Sequence, residues 1–196
     1  MKFSLDKTVN IGDNEYAIRY DFRVILEIIT MLNDAELTGE EKTECLIEMF
    51  YLDPEKIDYH DRNEAVEACF SFIDGGKKQK PQKPKPRLTD WEQDFEFVIA
   101  PINRVLGYES RSVDYDPERN AGGVHWWTFL AAYMEIGGDC LYSQIVTIRD
   151  KLARNKKLEK HEKEWLMRNR DIVVLKKQTT AAENEFLKQW GGVTNG

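Results

Sequence analysis

A chain of 196 residues, 41% hydrophobic and 32% charged, is long enough to bury a core as one compact domain or two small ones. Its net charge of −7 is unevenly spread: residues 1–74 hold 18 acids against 7 bases, Lys77 to Arg87 six bases and no acid, 88–137 a net −6 and 138–196 a net +4. That distribution excludes a general polyanion binder, the lack of any ~18-residue apolar run excludes a membrane-spanning helix, and the start MKFSLDKTVN lacks a hydrophobic export signal.

In chain order, "KFSL", "VNI" and "EYAIRY" alternate as strands do, with "GDN" at 12–14 as a turn, so a small β-hairpin or meander is predicted. Asp21 then caps a helix whose Val24, Ile25, Ile28, Ile29 and Leu32 recur at helical spacing. Thr38 with Glu41 forms a capping box ahead of Cys45, Leu46, Met49, Phe50 and Leu52. Asp61 with Glu64 repeats it ahead of Ala65, Ala68, Cys69, Phe72 and Ile73. The hairpin and these three helices make up a part spanning 1–74.

The glycines, prolines and bases of residues 75–88 mark a linker, PPII-like and unable to hold a helix. A second helical part, 89–196, follows. Thr89 is expected to cap a helix carrying Trp91, Phe95, Val98, Ile102 and Val105 on one stripe, with Pro101 kinking or splitting it. "ESRSVDYDPERNAGG" is a loop. Adjacent tryptophans on a helix point ~100° apart. Trp126, Phe129, Leu130 and Tyr133 therefore share one face while Trp127, Ala131 and Met134 fill another, which describes a central helix. Gly137 or Gly138 can close it and Asp139 can cap the next, with Leu141, Ile145, Ile148 and Leu152 in step, giving a buried αα-hairpin. Two closing helices are predicted, about Glu159 to Lys176 and about Thr180 to Trp190. The fold class is thus mainly α: a small N-terminal hairpin followed by a multi-helix bundle.

No constellation for chemistry survives inspection. "HEKEW" at His161 to Trp165 resembles the zinc pattern HExxH but puts Trp165 where the second ligand belongs. His60, His125 and His161 are far apart and read as surface or core-edge histidines. Asp90, Glu92, Asp94 and Glu96 could supply a carboxylate pair, yet acids in a first turn favour the helix dipole, and alternation with Trp91, Phe95 and Phe97 puts them on the wet side. Cys45, Cys69 and Cys140, odd in number and without a CxxC pair, read as small buried apolar residues in a reducing compartment. "DGGKK" lacks the spacing of a phosphate loop.

Arg149, Lys151, Arg154, Lys156, Lys157, Lys160 and Lys163 could touch phosphates, but Asp150, Glu159, Glu162 and Glu164 interleave them, and a solvated helix face is expected. No catalytic, cofactor or metal residue is expected. The residues support an interaction protein rather than an enzyme, and assign no partner-binding position.

The order of "YAIRYDFRVILEI", "TGEEKTECLIEMFYL", "LTDWEQDFEFVIAPINRVLGY" and "HWWTFLAAYMEIGGDCLYSQIVTIRDKL" resembles the bacteriophage gene-product-fifteen family of long-tailed phages and prophages of Gram-positive bacteria, over most of residues 10–176. The resemblance implies a role in tail morphogenesis, as a tail assembly chaperone that keeps the tape-measure protein soluble until tail-tube protein polymerises around it. It would then reside in the host cytoplasm, be absent from the mature virion, and need no cofactor or membrane; a homo-oligomer is compatible with the resemblance. A minor structural protein of the tail is the alternative, and a DNA-binding phage factor a more distant one.

Overall fold

The computed structural model describes residues 4–76 and 86–176. Gly12 takes the left-handed conformation, φ +56°, that a tight turn asks of it. Strands β1 (Thr8–Ile11) and β2 (Asn14–Ala17) pair antiparallel around it, Val9 opposite Tyr16 and Ile11 opposite Asn14. The sheet is a hairpin and not a meander. Ser4 and Leu5 of the expected first strand lie outside it, because no described strand runs along the far side of β1 for them to join.

Helix α1 (Phe22–Leu32) starts where the Asp21 carboxylate accepts from the Arg23 amide at 3.0 Å, and buries Phe22, Ile25 and Ile28. Helix α2 (Gly39–Phe50) opens on the Thr38/Glu41 capping box and buries Leu46, Ile47 and Phe50. Helix α3 (Arg62–Ile73) buries Ala65, Cys69 and Phe72, but its expected capping box is absent. A 3-10 turn, Tyr59–Asp61, runs straight into the helix and holds Asp61 at φ −93°, ψ −3° instead of the extended geometry a cap requires. Glu64 instead accepts from the Gly12 amide at 2.9 Å, tying helix to hairpin.

Helix α4 (Trp91–Leu106) is capped by Asp90 rather than Thr89: the Asp90 carboxylate accepts from the Glu92 and Gln93 amides, while the Thr89 hydroxyl lies 2.8 Å from that of Tyr142. Pro101 does not split it. The ring is buried within one continuous helix, which gives up the backbone bond to the Phe97 carbonyl. Val105 falls off the stripe and is exposed.

The following loop holds a 3-10 turn, Ser110–Ser112, and a short hairpin of β3 (Tyr115–Asp116) with β4 (Ala121–Gly122). Helices α5 (Trp126–Met134) and α6 (Leu141–Ala153) each lie against α4, and meet one another where the Tyr133 and Tyr142 hydroxyls stand 2.9 Å apart. Glu135, not a glycine, ends α5, and Gly137 (φ +61°) turns the connection. Cys140 precedes α6 in the capping position, while Asp139 turns away to within 3.5 Å of Arg104. Ala131 and Met134 are exposed, so α5 is buried on one side and not all round. Leu141 and Leu152, at the two ends of α6, are exposed as well.

The closing helix breaks at Asn169 into α7 (Lys160–Arg168) and α8 (Arg170–Val173), where the Asn169 side-chain Nδ2 donates to the Trp165 carbonyl at 2.8 Å. The helix expected over 180–190 lies outside the described residues, as does the Lys/Pro tract over 77–85. One apolar core takes in side chains from both sides of that tract, from Ile11 and Phe22 through Phe72 to Val98, Trp126 and Tyr142. A smaller cluster of Ile145, Ile148, Leu158 and Val173 holds α7 and α8 to the rest, with Phe97, Trp165 and Leu166 packed around it.

Candidate functional site

The paired tryptophans close the end of α3. A helix leaves its last carbonyls without intrahelical donors, and here two indoles supply them: Trp126 Nε1 donates to the Ile73 carbonyl and Trp127 Nε1 to that of Phe72, each at 2.8 Å. Gly75 and Gly76, both at positive φ, let the chain turn away against Leu130 and Trp127. Trp126 stacks on Phe129, which stacks on Phe22 with ring centroids 4.4 Å apart. The motif is thus core and cap together.

A second polar centre joins the chain's first third to α5. Asp21 is fully buried; one carboxylate oxygen accepts from the Arg23 amide and Nε, and the other accepts from the Val124 amide at 2.7 Å. The Arg23 guanidinium also reaches the Val113 carbonyl at 2.8 Å. Gly123 permits this approach, for a Cβ there would sit 2.1 Å from Asp21 Oδ2. Next to it His125 caps α5: Nδ1 accepts from the Trp127 amide and Nε2 lies 2.7 Å from the Asp6 carbonyl. The proton is therefore on Nε2, and the ring is neutral. Burial holds its pKa below the ordinary histidine value, outweighing the opposing pull of the Asp6 carbonyl.

Asp94 and Arg149 form a third centre. Asp94, expected on the wet side of α4, is fully buried, and Arg149, expected on a solvated basic face, is 5% exposed. Both stand on the inner faces of their helices, where each charge answers the other. All five guanidinium N–H groups are used. Nη1 and Nη2 grip the two Asp94 oxygens at 2.6 and 2.9 Å, Nε donates to Val173, Nη1 also to Leu88, and Nη2 also to Ile172. Asp94 additionally accepts from the Asp90 amide at 2.9 Å. One side chain thereby fixes the entry to α4, the middle of α6 and the end of α8.

The remaining candidates do not converge. Glu92 and Glu96 are exposed, Asp90 is a cap, and no second carboxylate joins Asp94. His60 and His161 are exposed, and Trp165 of "HEKEW" packs into the smaller apolar cluster. On the basic stretch Lys151 pairs with Glu162 at 2.5 Å and Arg154 with Asp150 at 2.6 Å, while Lys156, Lys157, Lys160 and Lys163 face solvent. Cys69 is buried, which raises its thiol pKa; Cys45 and Cys140 are half-buried, and all three are free thiols. Among the described residues no cluster of metal-ligating side chains is gathered, and no buried side-chain nitrogen or oxygen lacks a partner. No described helix is long and apolar enough to cross a membrane.

Two features of the surface stand out among the described residues. Between β1 and α3 lies a cleft of ≈ 370 Å³, walled by Thr8, Asn10 and Glu15 on the hairpin, by Ala68 and Ser71 on α3, and by Phe72 and Trp127. Elsewhere single apolar side chains stand in solvent, notably Met134, Met167 and Tyr59 at 63%, 73% and 78% exposure.

Such a molecule is a small helical protein whose buried charges serve its own architecture. A family model described as Bacteriophage Gp15 protein matches residues 3–175, and the chain belongs to that family; it is a bacteriophage protein. Comparison with curated proteins and with solved structures gave no match.

Proposed function

We propose that this protein acts in phage tail morphogenesis as a non-catalytic assembly chaperone, binding the tape-measure protein of a long-tailed phage of Gram-positive bacteria until tail-tube protein encloses it. Family membership supports a phage role. The observation that carries the chaperone reading is how the buried polar and charged groups are used. Asp21, Asp94, His125 and Arg149 bond to backbone and to neighbouring side chains of their own chain, which suits a rigid scaffold whose partners meet its surface. Exposed methionines on α5 and α7 suit such a partner surface, because their unbranched side chains adapt to varied apolar faces.

The test is deletion of the gene from the phage, with electron microscopy of the lysate. Filled heads without full-length tails are expected. Normal tails would contradict the reading. Mass spectrometry of purified particles tests its second half: a chaperone working in the host cytoplasm is absent from them, and stoichiometric retention would make the protein a structural component of the tail.

A further inference from the structure

The outer face of α7 sets an apolar side chain among cations. The helix packs Trp165 and Leu166 against the smaller apolar cluster and turns its opposite side to solvent. At ~100° per residue, Lys160, Lys163, Glu164, Met167 and Arg168 share that side, and all five are exposed. Met167, 73% exposed, thus has three cations and one acid for company. Among the described residues no salt bridge takes up Lys160, Lys163 or Arg168, whereas Lys151 and Arg154 are matched by Glu162 and Asp150.

The same chain carries a surface of opposite sign. Tyr59, 78% exposed, opens the 3-10 turn Tyr59–Asp61, with the His60 ring edge-on at 6.2 Å and the Arg62 guanidinium 5.6 Å from its centroid. The turn is fixed, since Ile57 before it is buried in the larger core and the Asp61 amide donates to the Asp58 carbonyl at 2.9 Å. Glu55, Asp58 and Asp61 flank Tyr59 in the chain and enter no salt bridge among the described residues. The nearby cations are already engaged, Lys56 with Asp53 and Arg62 with Glu44. Within one chain the two surfaces stay apart: the turn is rooted in the larger core and α7 in the smaller cluster, and no described hydrogen bond or salt bridge joins them.

We propose that the outer face of α7 receives the Tyr59 turn of a second copy of this chain, the ring against Met167 and the acids Glu55, Asp58 and Asp61 toward Lys160, Lys163 and Arg168. An apolar centre with a polar rim is the anatomy of a specific interface, tyrosine is among the side chains that carry most of its energy, and a thioether packs well on an aromatic ring. Like charge opposes a contact of either surface with its own copy, so the pairing is head to tail. Each copy presents both surfaces, and such a contact extends into a ring or a filament. The contact goes beyond the tail-assembly reading and stands or falls without it.

The test is sedimentation velocity of the purified full chain over a range of concentration and salt. The sedimentation coefficient should rise with concentration and fall back as salt screens the exposed charges. Lys163→Glu on α7 and Tyr59→Ser on the turn should each weaken association by about tenfold or more, ~1.4 kcal/mol. Both positions are exposed, and circular dichroism verifies the fold; should Lys163→Glu lose its helical signal, Lys160→Glu takes its place. The deciding arm mixes the two variants. The Lys163→Glu chain keeps its Tyr59 turn and the Tyr59→Ser chain keeps its α7 face, so one intact contact can form between them. Each alone should stay monomeric, and the equimolar mixture should give one-to-one pairs and nothing larger. A parent chain monomeric throughout, association that either variant leaves intact, or variants that fail to pair when mixed overturns the proposal. So does a monomeric chain whose Lys160 and Lys163 bind duplex DNA, since phosphate would then be the occupant.

Discussion

Replacing Arg149 by methionine keeps much of the side chain's volume and removes every hydrogen bond it makes. Asp94 is left buried with the Asp90 amide as its remaining donor, and the carbonyls of Leu88, Ile172 and Val173 lose their guanidinium partner. Breaking a buried ion pair by removing one partner costs about 3–5 kcal/mol, and a buried carbonyl left without a donor about 1–3 kcal/mol. These terms overlap, so a loss of at least about 4 kcal/mol is expected, a large share of the ~5–15 kcal/mol that holds a domain folded.

The double variant Asp94→Leu with Arg149→Met separates the pair from the hub. Removing both charges recovers the ion-pair term, but the Leu88 and Val173 carbonyls stay without their guanidinium donor and that of Ile172 keeps Gln93 Nε2 at 3.4 Å, so a residual loss of about 1–3 kcal/mol is expected. Urea unfolding followed by circular dichroism reads both values as shifts of the midpoint at constant slope. A single variant within ~0.5 kcal/mol of the parent, the range of ordinary surface changes, would refute the reasoning. A double variant more stable than the parent would show that the backbone contacts of Arg149 contribute nothing.

Three further outcomes follow from the other two centres. Trp126→Phe keeps the stack on Phe129 but loses the bond to the Ile73 carbonyl, and should cost about 1–3 kcal/mol against about 3–5 kcal/mol for Trp126→Ala; a Trp126→Phe variant as stable as the parent in thermal melts would deny the cap its role. The His125 ring is neutral in the fold with its pKa lowered, so the unfolded chain, titrating near ~6.5, binds the proton first; stability should fall as pH drops below ~6.5 toward the folded value. His125→Asn, which keeps an acceptor for the Trp127 amide, should flatten that part of the profile, and an unchanged slope would point to another group. Gly123→Ala places a methyl 2.1 Å from Asp21 Oδ2 at φ +72°, and should cost at least about 2 kcal/mol in the same urea assay; a neutral effect would show that the Asp21 centre has slack.

What the sequence discloses depends on how local the physics is. Asp21 and the Thr38/Glu41 box are visible as letters because a cap and its amides lie within one turn of each other. Asp61 and Glu64 present the same letters and fail, because the 3-10 turn before them fixes the backbone and the hairpin offers Glu64 the Gly12 amide. Asp94 and Arg149 depart from the expected solvent-facing positions for the opposite reason. Each partner lies far away in the chain, so neither can be paired by local reading. A trace was present all the same: Asp94 falls at helical spacing between Trp91 and Val98, and Arg149 four residues after Ile145, so both charges sit on apolar stripes. The outward turn of the Thr8 and Asn10 backbone leaves no such trace, since which residues face β2 is decided by the register of Ile18 on Lys7.

The proposed chaperoning of the tape-measure protein is read out by co-expression. The tape-measure protein of the same phage is produced with and without this chain, and the soluble fraction is measured. The expected result is that tape-measure protein aggregates alone, and that in the presence of this chain it is soluble and co-elutes with it. Equal aggregation in both cases, or solubility without any complex, would contradict it.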